Sequence, residues 1–333
     1  MLVFFLSFCL FLGQAQSLTA DERFNRAVEL QRANQLDEAA REYRALLLLK
    51  PDYAEAYANY GAVSARLNQF DEAIAAYEKA LKLNPKLIPI WLNLGIANFR
   101  AGRFEAARRS LNSFLALRPE VAQAQLLLGI VLVELGEDAE AIAKLEPLIN
   151  VGNHDVTALY SLGLALLRQK RPGAIQLAER LQPLAGGEAL SHLLRGQALL
   201  AESKPQGAMT ELEQAARLNA ELPHLFYALG TAHLAQHQRD LARQAFETEL
   251  QRRPQDFLTL YHLALIHEAE KRPDAARPLI EQALKQEPNS PEANALLGKL
   301  LVKAGKIKAA LAPLEVAVAN AEAESETHYL LAR

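Results

Sequence analysis

Cysteine is nearly absent: the one copy, Cys9, lies inside an apolar run at the N-terminus, between Phe8 and Leu10. These bulky neighbours do not suit a lipoprotein cysteine, and without the run the chain has no thiol. Disulfides and thiol catalysis are thereby excluded from the remainder, which suits export without requiring it. A surplus of either charge is also missing, with 36 Lys and Arg against 39 Asp and Glu and a net charge of -3. Nucleic acid, which needs a basic surface, is not expected as a partner. No apolar stretch is long enough to span a bilayer, since Met1 to Leu12 falls well short of the roughly 20 residues required. Strand alternation, low-complexity tracts and a glycine-rich phosphate loop are all missing.

Groups of residues that carry catalysis are equally scarce. His233 and His237 are four apart and could share a helix face, but no Glu follows His233 and no third ligand is suggested. Ser191 with His192, and His267 with Glu268, are sequence neighbours, which point apart on a helix and form no relay. No catalytic residue, metal or cofactor is expected.

At the N-terminus, the apolar run ends at Gly13-Gln14-Ala15, small residues of the kind a signal peptidase cuts after, and is followed by Gln16-Ser17. Residues 1–16 are therefore expected to be a signal peptide, although no Lys or Arg precedes the run. The competing reading is an apolar first helix that caps the fold.

What the sequence does contain is a repeat. Ala54-Glu55-Ala56-Tyr57-Ala58-Asn59-Tyr60-Gly61, then Ala73, Tyr77, Ala80 and Pro85, is answered 34 residues later by Ile88-Pro89-Ile90-Trp91-Leu92-Asn93-Leu94-Gly95, Ala107, Leu111 and Pro119. A period of this size marks a solenoid of helix-turn-helix units. Trp91-x-x-Leu94-Gly95 with Ala107 and Pro119 resembles the tetratricopeptide repeat family. The beat continues as Ala27, Gly61, Gly95, Gly129, Gly163, Gly196, Gly230, Ala264 and Gly298. A second beat runs Ala39, Ala73, Ala107, Ala141, Ala174, Ala208, Ala242, Ala276 and Ala310. Small residues allow two helices to approach closely, so Gly95 is expected to face Ala107. Both beats shorten once to 33, which places one missing residue near Gln169 to Gly173.

The expected fold is an all-α right-handed solenoid of about nine units. These lie near 20–53, 54–87, 88–121, 122–155, 156–188, 189–222, 223–256, 257–290 and 291–322, with 325–333 opening a further first helix. Prolines 51, 85, 119, 254 and 288 close second helices. The junctions at Asn153, Gly186 and Ala220 lack that proline, and the beat continuing across them favours divergent repeats over a hinge. The last helix stops uncapped at Arg333, which suggests that the protein continues and that this end offers a surface for self-association.

Helical geometry selects a candidate binding face. Two residues before the small-residue beat stand Asn25, Asn59 and Asn93; five after it stand Arg32, Arg66, Arg100 and, after Glu134, Arg168. The resemblance implies that this face lines a concave groove for extended peptides, with asparagines forming a ladder along the ligand backbone. A carboxamide donates and accepts, so it suits a peptide bond, while the arginines add a preference for acidic partners. Further along, Tyr160, Tyr227 and Tyr261 either anchor a partner or fill gaps between neighbouring first helices. The expected function is an exported, periplasmic or secreted, non-enzymatic scaffold for protein or peptide partners. Its alternatives are the recognition arm of a larger enzyme, or a structural subunit of an envelope secretion or polysaccharide export assembly.

Overall fold

The computed structural model describes residues 18–150 and 154–319. The expected signal segment 1–16 and the partial helix 325–333 lie outside the described residues. The chain divides into two compact units, 1–151 and 152–333. In the first, four helical hairpins follow one another: α1 (Ala20–Arg32) with α2 (Leu36–Leu49), α3 (Ala54–Arg66) with α4 (Phe70–Leu83), α5 (Ile88–Arg100) with α6 (Phe104–Leu117), and α7 (Ala122–Glu134) with α8 (Asp138–Asn150). The second holds five: α9 (Val156–Arg168) with α10 (Ala174–Leu181), α11 (Gly187–Ala201) with α12 (Pro205–Leu218), α13 (Leu225–Ala235) with α14 (Arg239–Arg252), α15 (Phe257–Ala269) with α16 (Pro273–Gln286), and α17 (Pro291–Lys303) with α18 (Ile307–Val318). Every described element is helical, and none is long and apolar enough to cross a membrane.

Local chemistry sets these boundaries. Thr19 and Glu22 form a reciprocal capping box at α1, and Asp155, Asp256 and Ser290 accept a backbone N–H at the starts of α9, α15 and α17. Each hairpin turn opens with a residue of positive φ, namely Asn34, Asn68, Gly102, Gly136, Lys170, Ser203, His237, Lys271 and Gly305, and the fifth turn has a second, Gly173. The opening residue precedes the buried alanine by five positions in every hairpin except the fifth, where Lys170 precedes Ala174 by four. The missing residue lies there, and α10 is about one turn short at each end, keeping 8 residues where α2, α4 and α6 have 14.

The hairpin crossing differs from the expected Gly-to-Ala contact. A Cβ added to Gly95 would stand 2.9 Å from the Leu111 side chain, so Leu111, and not Ala107, is the residue that Gly95 accommodates. The same step of 16 pairs Gly61 with Tyr77, Gly129 with Leu145, Gly196 with Leu212, Gly230 with Phe246 and Gly298 with Leu314. Each large side chain sits in the notch its glycine leaves, and truncating one to alanine costs about 2–5 kcal/mol. The fifth hairpin breaks the rule because its deletion puts Ala178 in that column. Leu194 of α11 fills the notch at Gly163 instead, and α11 packs directly on α9.

Candidate functional site

Within each unit, successive first helices touch one another. In the first unit α1 meets α3, α3 meets α5 and α5 meets α7; in the second α9 meets α11, α11 meets α13 and α15 meets α17. No pair of successive second helices packs comparably among the described residues. The first helices therefore form a continuous face on the first unit, and on the second α13 meets α15 through the Tyr227 and His262 rings.

The expected asparagines and arginines lie on that row. Asn25, Arg32, Arg66 and Arg100 are exposed, while Asn59 and Asn93 are half-buried. The Asn59 carboxamide lies against the Tyr43 hydroxyl, which itself donates to Gln31 at 2.9 Å. Burial pushes the Tyr43 hydroxyl up to about 12, so it stays protonated and serves as a joint between the first two hairpins. Arg66 donates to Asn34 Oδ1 at 2.6 Å, spanning the same joint. On α5, Asn93, Ile96 and Arg100 follow at steps of three and four and share one face. Ile96 is 38% exposed there, an apolar side chain between an amide and a guanidinium.

In the second unit the expected residues play mixed parts. Tyr160 is buried, and its hydroxyl donates to Gln197 at 3.4 Å, so it fills space between α9 and α11. Tyr227 and Tyr261 are half-buried, with His262 edge-on to both rings at 5.5 Å. Tyr261 also stacks on Phe257 at 6.2 Å. Burial lowers the His262 affinity for a proton, and its Nδ1 lies 2.8 Å from the Leu258 carbonyl. Arg168, exposed at the end of α9, acts electrostatically on His224 and Tyr227. The two histidines considered as metal ligands diverge: His233 bonds Gln238 from α13, whereas His237 is the turn residue.

One buried polar cluster joins α13, α14 and α15. The α13 helix begins at Leu225, two residues later than the 34-residue step requires, with His224 left-handed at φ 58° and unable to cap it. Glu249 of α14, 1% exposed, does so instead, accepting the N–H groups of His224, Phe226 and Tyr227 at 3.2, 3.2 and 3.4 Å. Burial raises the Glu249 carboxyl above its ordinary range, opposed by Arg253. Arg253 Nη1 donates to His224 Nε2 at 2.6 Å, which assigns the ring proton to Nδ1, 3.5 Å from Asp256 Oδ2. Burial, then Arg253, holds His224 down to about 4, so the ring is neutral. The sequence carried one signal of this cluster: Glu249 interrupts a column otherwise filled by Leu46, Ala80, Phe114, Leu148, Leu181, Ala215, Ala283 and Ala317.

Within each unit every hairpin packs on the next, which defines a helical repeat solenoid, a class built to present extended surface. Tetratricopeptide repeat profiles match residues 24–88 and 227–279, 61–128, and 268–333, together more than half of the chain. The chain belongs to the tetratricopeptide repeat family, and its repeats make it a scaffold for protein–protein interaction. No curated protein matches it. Among solved structures it is similar to the APC/C hetero-tetramer Cut9-Hcn1, at 15% identity and a TM-score of 0.58 over 94% of this chain and 76% of that one. It is also similar to the IFIT1 monomeric mutant with Gppp-AAAA, at 14% identity and a TM-score of 0.56 over 80% of this chain and 69% of that one. At these identities the likeness is one of fold.

Proposed function

We propose that the chain is an exported, non-enzymatic scaffold whose first-helix face receives extended, acidic segments of partner proteins. The observation that carries this reading is the arginine series. Arg32, Arg66 and Arg100 recur every 34 residues, exposed, on the closing turns of first helices that touch one another. Among the described residues, Arg32 and Arg100 have no bonded partner, and Arg66 has only a neutral one. A guanidinium left without a carboxylate can pair bidentately with one supplied by a ligand. Asn25, Asn59 and Asn93 flank the series, but Asn59 is engaged by Tyr43, so selection falls chiefly on the arginines. The test is a peptide array probed with wild type and an Arg32→Ala, Arg66→Ala, Arg100→Ala variant at low and high salt. The variant should lose acidic peptides, and salt should imitate that loss. Identical capture by both proteins would reject the reading.

A further inference from the structure

The opposite side of the first unit carries three equivalent grooves that the arginine series does not use. Each lies between two successive second helices, with the intervening first helix as floor, and their volumes are about 350, 560 and 460 Å³. They repeat every 34 residues: Tyr57, Trp91 and Gln125 take the same place on the floor. One wall gives Arg44, Glu78 and Asn112 in turn, and the other gives Ala75, Arg109 and Ala143. The middle groove is the largest, and its apolar base is Trp91, Leu94 and Leu81, with Pro85 at one end.

Charge in these grooves is unbalanced. Lys82 and Arg109 stand on opposite walls of the middle groove, and Lys144 lines the third. None of the three has an ion-pair partner among the described residues. Of the two carboxylates present, Glu72 already accepts the Tyr60 hydroxyl at 2.5 Å, and Glu78 alone is left to oppose the cations. From Glu78 on α4 to Pro85, two residues past its end, is seven steps, roughly 10 Å at the helical rise, room for about three residues of extended chain.

We propose that the groove between α4 and α6 is a second docking surface, which takes a short partner segment carrying an apolar side chain flanked by carboxylates. The apolar side chain lies on Trp91, and the carboxylates meet Lys82 and Arg109. Neighbouring grooves extend the same surface to tandem segments.

Trp91 is the only tryptophan in the chain, so its fluorescence reports on this groove alone. The probe is a short tryptophan-free peptide alternating aspartate and leucine, with a lysine–leucine counterpart. The acidic peptide should shift Trp91 emission saturably and the basic one should not. A Lys82→Glu, Arg109→Glu variant with unchanged circular dichroism should lose affinity by about tenfold or more, as charge reversal at both walls requires. The Arg32→Ala, Arg66→Ala, Arg100→Ala variant should keep it, which separates this surface from the first-helix face. Absence of any Trp91 response, or equal affinity of the charge-reversed variant, overturns the proposal. So does self-association that is lost in the charge-reversed variant and unaffected by the peptide, which would assign the groove to a second copy of the chain.

Discussion

Replacing Glu249 with alanine removes the acceptor that the start of α13 uses in place of a cap. Three backbone N–H groups, those of His224, Phe226 and Tyr227, point at its two oxygens, and the side chain is 1% exposed. An ordinary cap is worth about 1 kcal/mol, and a buried donor left unsatisfied costs about 1–3 kcal/mol. Water enters the space that alanine leaves and recovers part of this, so the net cost should be about 2–4 kcal/mol. Glu249→Gln keeps one acceptor oxygen and should lose roughly half as much. Each hairpin leans on its neighbours alone, so the damage should be local. Hydrogen exchange followed by mass spectrometry should show protection lost over α13 and the start of α15, while α1 to α8 exchange as in wild type. A urea titration gives the size of the loss. If Glu249→Ala is no more harmful than Glu247→Ala on the exposed side of the same helix, the carboxylate is not holding α13 and the reasoning fails.

Further outcomes follow from the same structure. His224 is held down to about 4 by burial and Arg253, below its ordinary value of about 6.5, so between those values the unfolded chain takes up a proton that the folded chain refuses. The stability contributed by the neutral ring is complete above about pH 6.5 and is lost as pH falls through about 4. Thermal melts across that window should fall more steeply for wild type than for His224→Asn, which tolerates the left-handed backbone; parallel curves would remove His224 as the titrating group. Gly95→Leu forces bulk against Leu111 and should cost about 1–3 kcal/mol, seen as exchange confined to α5, α6 and their neighbours rather than across the array. Expressed in a bacterium, the protein should appear outside the cytoplasm with an intact mass that begins near Gln16; a cytosolic product retaining Met1 would make the apolar run a capping helix.

The sequence made the repeat legible because glycine and alanine beats report one fixed crossing. The deletion showed as a single 33-residue step in both beats, and the turn at Lys170 with the late start of α10 locates it. Period alone, however, tells which residues share a face of one helix and not which residue of the partner meets them. That is why Gly95 was matched with Ala107 when Leu111 fills its notch. Asn59 looked like a ligand contact because its offset is right, yet its neighbour, Tyr43, comes from the preceding hairpin, 16 residues away. Glu249 was visible as a charge in an apolar column, but its purpose depends on α13 starting late. The outer grooves were out of reach, since each needs three helices from two hairpins to exist.

Photocrosslinking at Ile96 tests the central claim, that partners bind the first-helix face, most directly. Ile96 stands between Asn93 and Arg100 on the exposed face of α5, whereas Asn68 lies in a hairpin turn. A photoreactive phenylalanine analogue is placed at either position, and an acidic peptide captured by the wild-type protein is added. The account predicts a crosslink from position 96 that free peptide competes away and that high salt weakens, with little or none from position 68. Equal crosslinking from both positions, or none from position 96 while the peptide remains bound, would contradict it.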